Sequence, residues 1–385
     1  MPVPANSASA NAYVTQAEML WAMGWTASLL LPLLLLLTGW GARLRTGCER
    51  LARGNRYFTL TLFAICYLVL NALVLLPVHF WRRIVVEQAF GQPGMTPGAL
   101  LWGDAVPLLV QIVVAALALW IPFTLLQRSP RFWWLWSALA IVPIAFLVLV
   151  ALPVFVDPLT TDFKPLADKV LLAKIETLTA RCGIPHVPVM VGGGDDTVVG
   201  LGPTNRIVLE EDIRRHETDD QIEFTAGHEL KHYLLGDNWK ALAIVAVFAL
   251  AGLWLVDRGE RRILARWHRR LGFEELSDPA ALPLMVLILS VFWLAVLPAF
   301  NWEARRIESE ADRFGLELTH QNRAAAELFA KWARSGIMQT DYDLFFRLFR
   351  QTHPSLGERI RFANTYRPWA NGGPLRYGDI CQPSR

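Results

Sequence analysis

Charge is scarce in this sequence. Only 18% of its 385 residues are Asp, Glu, Lys or Arg, whereas 54% are hydrophobic, with 16 Trp and 20 Phe. That much apolar surface exceeds what a soluble core of this length buries, and a bilayer is the natural solvent for the excess. The net charge of +3 is too small to point to nucleic acid. The basic residues cluster between apolar runs, as topology signals do, rather than spreading over one face. Cysteine is scarce as well. Cys48, Cys66, Cys182 and Cys381 lie far apart with no CxxC pair, so neither a disulfide framework nor a thiolate metal site is expected. No Lys or Arg precedes Met19, and the first apolar run is too long for a signal peptide. It reads as an uncleaved transmembrane helix.

What is abundant is long apolar sequence. Six stretches can cross a bilayer as helices: Met19 to Trp40, Tyr57 to Val78, Ala105 to Leu126, Phe132 to Val156, Ala241 to Val256, and Ala280 to Phe300. The fifth is the shortest. Two polar regions remain, 157–240 and 301–385. The first shows a helical pattern at Leu166–Ala180, β-type runs at Val187–Val191, Thr197–Val199 and Arg206–Leu209, and a helix from Asp219 to Gly236. The second is helical, with breaks near Ser335-Gly336 and His353-Pro354. The expected organisation is a four-span membrane domain at 1–156, a polar region at 157–240, a membrane hairpin at 241–300 and a second polar region at 301–385. The fold class is thus a mainly α-helical multi-pass membrane protein with an α+β domain assembled from both polar regions. Gly192-Gly193-Gly194 lacks the spacing of a phosphate loop and reads as a strand connector.

Chemistry concentrates at His228-Glu229-Leu230-Lys231-His232, an HEXXH sequence. Residues four apart share a helix face, so both imidazoles can reach one Zn²⁺, and Glu229 beside them can take a proton from the attacking water. With eight histidines in the chain, chance would produce this pattern in on the order of one sequence in a hundred. The bland alternative is a pair of exposed histidines. Ala226, Gly227, Leu230, Leu234 and Leu235 argue against it, because they make the surrounding helix close-packing and apolar. A catalytic zinc takes a third protein ligand. Glu308 and Asp312 share a face of the downstream helix, so one could bind metal while the other orients a ligand histidine. From spacing alone that helix could equally be a solvated face, and Glu310 competes with Glu308.

Taken in order, these segments resemble the type I CAAX prenyl proteases and their bacterial relatives. Val85-Val86-Glu87-Gln88-Ala89-Phe90-Gly91 with Asp104 is similar to the family's N-terminal signature, and Asp157-Pro158-Leu159 through Leu166 to its entry to the catalytic region. Arg206–Leu209 resembles the strand before the zinc helix. Glu308-Ser309-Glu310-Ala311-Asp312 resembles the ExxAD element, and Thr352-His353-Pro354 through Arg359 the C-terminal HP…ER element. The resemblance implies that Glu308 is the third ligand and that Asp312 orients a ligand histidine. It also implies that His353 and Arg359 bind substrate and meet the oxyanion.

Two departures stand out. Gly192-Gly193-Gly194-Asp195-Asp196-Thr197 replaces a longer stretch that borders the family's substrate cleft, with Asp195 at the place of an asparagine. A CAAX-protease-like activity stays among the expectations, while its prenyl-CAAX specificity is left open by this departure. Lys231 stands where the family usually has glycine, at a non-ligand position. The polar regions 157–240 and 301–385 are thus expected to be catalytic regions of one zincin-like α+β metallopeptidase domain, and the expected function is a zinc metalloendopeptidase acting on peptides or membrane proteins, with its substrate extended against Val198–Leu209. A catalytically silent transporter or scaffold is the rival. Arginine-rich loops at 43–56, 128–131 and 258–270 would lie in the cytoplasm, placing the zinc site on the periplasmic side of a bacterial inner membrane. The eukaryotic members of the family are thought to cleave on the cytosolic side.

Overall fold

In a bilayer every backbone polar group must be satisfied within the segment, so long apolar runs become helices. The computed structural model describes residues 1–147, 163–184, 186–192, 196–199, 205–210, 213–335 and 337–381. Five helices are long and apolar enough to cross a membrane: Ala8–Leu37 (α1), Arg56–Ala89 (α2), Pro97–Arg128 (α3), and a later pair, Asp237–Leu271 and Pro279–Thr319. The fourth expected span, Phe132 to Val156, is described only as the shorter apolar helix Trp133–Phe146 (α4). The rest of that stretch lies outside the described residues, as do Asp157-Pro158-Leu159 and Gly193-Gly194-Asp195.

The chain divides into two compact units, one made of Ala12–Val142 and Ala246–Val296, the other of Met1–Asn11, Pro143–Val245 and Leu297–Arg385. In the first, Phe63, Ala64, Trp133, Val256 and Ala281 are buried in one core. Trp133 donates its indole N–H to the buried Asp257 at 2.8 Å, which satisfies a carboxylate that would otherwise be costly among apolar side chains. Outward-facing Leu109, Val113 and Leu117 are exposed, as residues facing lipid would be.

The second unit carries the polar sequence. Asp168 caps helix α5 (Lys169–Arg181) by accepting from the backbone of Val170 and Leu171. A four-stranded sheet follows the order β1-β2-β4-β3, with β1 Lys164–Pro165, β2 Val189–Val191, β3 Thr197–Val199 and β4 Arg206–Leu209. β2 and β4 are parallel, and β3 is antiparallel to β4 with Val198 opposite Ile207. Among the described residues β3 therefore forms one edge of the sheet.

Helix α6 (Asp219–Leu234) opens with a Thr218/Gln221 capping box, two reciprocal hydrogen bonds that fix where it starts. Its apolar side chains enter three cores. Ile222 and Ala226 pack with the sheet, Phe224 packs with the helices that end the chain, and Leu230 packs with Phe314 and Tyr377. The next helices are α7 (Asp237–Leu271), α8 (Leu282–Thr319), α9 (Asn322–Ser335) and α10 (Leu356–Thr365). α6 and α8 cross at two glycines: a Cβ on Gly227 would stand 3.3 Å from the Gly315 Cα.

Two expectations are corrected here. Cys182 and Cys381 form a disulfide, with Cα atoms 4.1 Å apart across 199 residues of sequence. Pairing depends on distance in the fold, which the sequence spacing did not disclose. The substrate path along Val198–Leu209 is also too broad, because of the two strands in that range β4 is paired on both sides and β3 alone lies at an edge.

Candidate metal centre

Three apolar faces of α6 are committed to cores, and on its remaining face lie His228, Glu229 and His232. The two Nε2 atoms stand 3.4 Å apart. Glu308 comes in from α8, with Oε2 at 3.2 Å from His228 Nε2 and Oε1 at 3.7 Å from His232 Nε2. One donor atom from each of the three residues lies within 4.8 Å of the others.

The far side of each ring decides its tautomer. His228 Nδ1 donates to Asp312 at 3.0 Å, and His232 Nδ1 donates to Asp237 at 2.7 Å. A carboxylate accepts only, so each Nδ1 carries a proton and each ring turns its Nε2 inward. Glu308 Oε2 is buried there without an aligned hydrogen-bond donor. Burial opposes charge on His228, but the Asp312 and Glu308 carboxylates outweigh it and push the imidazole up to about 10. Two convergent imidazole nitrogens, an orphaned carboxylate oxygen and a field that favours positive charge fit a metal ion.

Around this cluster is a cleft of ≈1110 Å³. Glu229 lines it, with Oε1 4.0 Å from His228 Nε2. Burial pushes its carboxyl above the usual range, against the pull of His228 and His232. Arg359 also lines the cleft and forms a bidentate pair with Asp312, at 2.8 and 2.6 Å. Its guanidinium stacks over Phe329 at 4.0 Å. His353 sits at the rim, 59% exposed, with Nε2 3.4 Å from Glu308 Oε2. The fold thus brings together His228, Glu229, His232, Glu308, Asp312, His353 and Arg359. Glu310 faces elsewhere, paired with Arg306 and Arg376 at 3.0 Å each.

Asp237 was missed from sequence. It lies beyond the end of α6, past Gly236, whose φ of +63° turns the chain back so that the carboxylate reaches His232. An aspartate opening the next helix reads locally as a cap, and only the ring it faces gives it another role. The edge strand contributes Thr197 and Val198 to the cleft.

Residues 165–367 match the family model described as peptidase family M48. Residues 6–161 match one described as CAAX prenyl protease N-terminal, five membrane helices. A Bacillus subtilis (strain 168) protein called uncharacterized metalloprotease YhfN is 30% identical over 367 residues, 94% of this chain and 86% of its own. The CAAX prenyl protease 1 homolog of Dictyostelium discoideum is 24% identical over 300 residues, 74% of this chain and 68% of its own. The crystal structure of S. mikatae Ste24p superposes with a TM-score of 0.78 at 18% identity, over 93% of this chain and 88% of that one. At that identity the likeness is one of fold.

Proposed function

The chain belongs to peptidase family M48, and we propose that within this family of metal-dependent peptidases it is a zinc endopeptidase cleaving peptides or membrane-associated proteins. The observation that carries this reading is the convergence of two Nε2 atoms on Glu308, with both Nδ1 atoms held by carboxylates. An N,N,O donor set of this kind is one that catalytic zinc uses, and three protein ligands would leave a fourth position for water or substrate. Zinc in such a site supplies Lewis acidity toward the scissile carbonyl and the attacking water.

The protein's own groups would do the rest. Glu229 lines the cleft beside His228, and its raised basicity would suit it to take a proton from the attacking water and pass it to the leaving amine. The substrate would lie in extended form against β3, exchanging main-chain hydrogen bonds with the sheet edge. His353, at the rim, and Arg359, held by Asp312, would meet the oxyanion. Relatives carry the name CAAX prenyl protease, but the Gly192–Thr197 departure gives no ground for extending a prenylated substrate to this chain.

The membrane is taken to be a bacterial inner membrane with the site outside the cytoplasm. The Cys182–Cys381 disulfide supports that side, since such bonds persist in oxidising compartments.

The test uses full-length protein in detergent. It should hold one zinc per chain by elemental analysis. Glu229→Gln should keep the zinc while peptide hydrolysis falls about 10²–10⁴-fold. Glu308→Ala should lose the zinc. Full turnover in the first variant, or full zinc occupancy in the second, would assign the base or the third ligand elsewhere.

A further inference from the structure

The carboxylate that orients His232 is itself held by a buried cation. Lys231 lies between the two histidines in sequence, yet its side chain is 0% exposed and takes no part in lining the cleft. Its Nζ donates to Asp237 Oδ2 at 2.8 Å and to the Ile307 carbonyl at 2.8 Å. Asp237 Oδ2 is the same oxygen that accepts from His232 Nδ1. Ile307 immediately precedes Glu308 on α8. A lysine goes this deep only where its ammonium is fully engaged, and these partners engage it.

We propose that Lys231 is a positioning residue for the metal ligands, one side chain that sets two of the three donors. Through Asp237 it fixes the rotation of the His232 ring. Through the Ile307 carbonyl it holds the turn of α8 that presents Glu308. The third donor, His228, is oriented independently by Asp312 and Arg359. The inference rests on the metal-centre reading above. It explains why a residue with three donors occupies a buried position where glycine would also fit a helix: the long side chain spans from α6 to α8, which glycine cannot do.

The test measures Zn²⁺ affinity of the full-length protein by competition with a chromophoric chelator, and the visible spectrum of the Co²⁺-loaded form. Lys231→Met keeps most of the volume and removes the donors. It should weaken zinc binding about 10- to 100-fold and alter the Co²⁺ bands. Asp237→Asn should do the same, and the double variant should be little worse than the worse single one, because both act along one path. Lys231→Leu likewise removes the donors and serves if the Met variant does not fold. Unchanged affinity and spectrum in the Lys231 variant that folds, even with a lowered Tm, would mean a merely structural role and overturn the inference. Failure of the wild-type protein to bind Zn²⁺ or Co²⁺ would overturn the metal-centre reading, and this inference with it.

Discussion

Glu217 stands in the cleft wall near the catalytic groups without touching them, half-buried, with Oε2 lacking a hydrogen-bond partner. Burial first, then the charges of Asp196 and Glu210, push its carboxyl up to about 7, against Lys331 and a hydrogen bond from Thr225. Its folded pKa lies above the ordinary 4.5, so the stability it contributes is complete below that pH and is lost as pH rises through about 7. The wild-type protein should therefore lose Tm across that window, and Glu217→Gln should lose less. Parallel Tm–pH curves for the two proteins would contradict this origin of the shift. Such environments are not written in local sequence, where Glu217 is one acid among several. His228, Glu229 and His232 were legible because helical spacing alone brings them together. Asp237 and Lys231 were not, because their roles depend on the turn at Gly236 and on what α8 presents.

Among the elements, the crossing of α6 and α8 decides whether Glu308 and Asp312 reach the histidines. Gly315 lies one turn beyond Asp312, and a Cβ there would meet the backbone N of His228 at 3.2 Å and the carbonyl of Phe224 at 3.3 Å. Backbone cannot swing aside as a side chain does, so Gly315→Ala should force the helices apart by a few tenths of an ångström. A destabilisation of about 1–3 kcal/mol is expected, with weaker zinc binding. Gly47, in the helix Trp40–Leu51, has nothing within 4 Å of the same position. There Ala should be neutral or stabilise by up to about 1 kcal/mol. Thermal unfolding of both variants tests the contrast, and a Gly315→Ala protein as stable as wild type would rule out the close crossing. The strands at Val189–Val191, Thr197–Val199 and Arg206–Leu209 and the helix from Asp219 were readable from turn residues and apolar period. The parallel pairing of β2 with β4, which turns β3 into the edge, was not. Strand order is set by long-range contacts that periodicity does not encode.

At the scale of the whole molecule, the proposed orientation sets the cleft outside the cytoplasm. Asn6 accepts from the Thr340 backbone at 2.7 Å and donates to the Asp341 carbonyl at 2.9 Å, so the N-terminal segment and the C-terminal region share a side. An even number of crossings must separate them. Five long helices leave an odd count, and the fourth apolar stretch of the sequence, whose described part is α4, is proposed as the sixth crossing. The fifth stretch, short by sequence, is a 35-residue helix, α7, whose end carries Arg258, Arg261, Arg262, Arg266, Arg269 and Arg270. These arginines are therefore helical rather than in a loop. In the membrane unit Arg45 pairs with Asp278 at 2.8 Å, Arg56 donates to the Ser277 carbonyl at 3.3 Å, and Arg261 bonds the Pro130 carbonyl. The three arginine-rich connections thus meet at one end of that unit, as a common cytoplasmic side requires. The disulfide at Cys182 and Cys381 argues for an oxidising environment around the other unit. The arginine clustering and the disulfide are the two observations behind the proposed orientation, and reporter fusions test it. Alkaline phosphatase fused after Arg385 should be active, and the same enzyme inserted after the exposed Glu274 should be silent. Activity only at Glu274 would reverse the orientation and leave the disulfide on the reducing side.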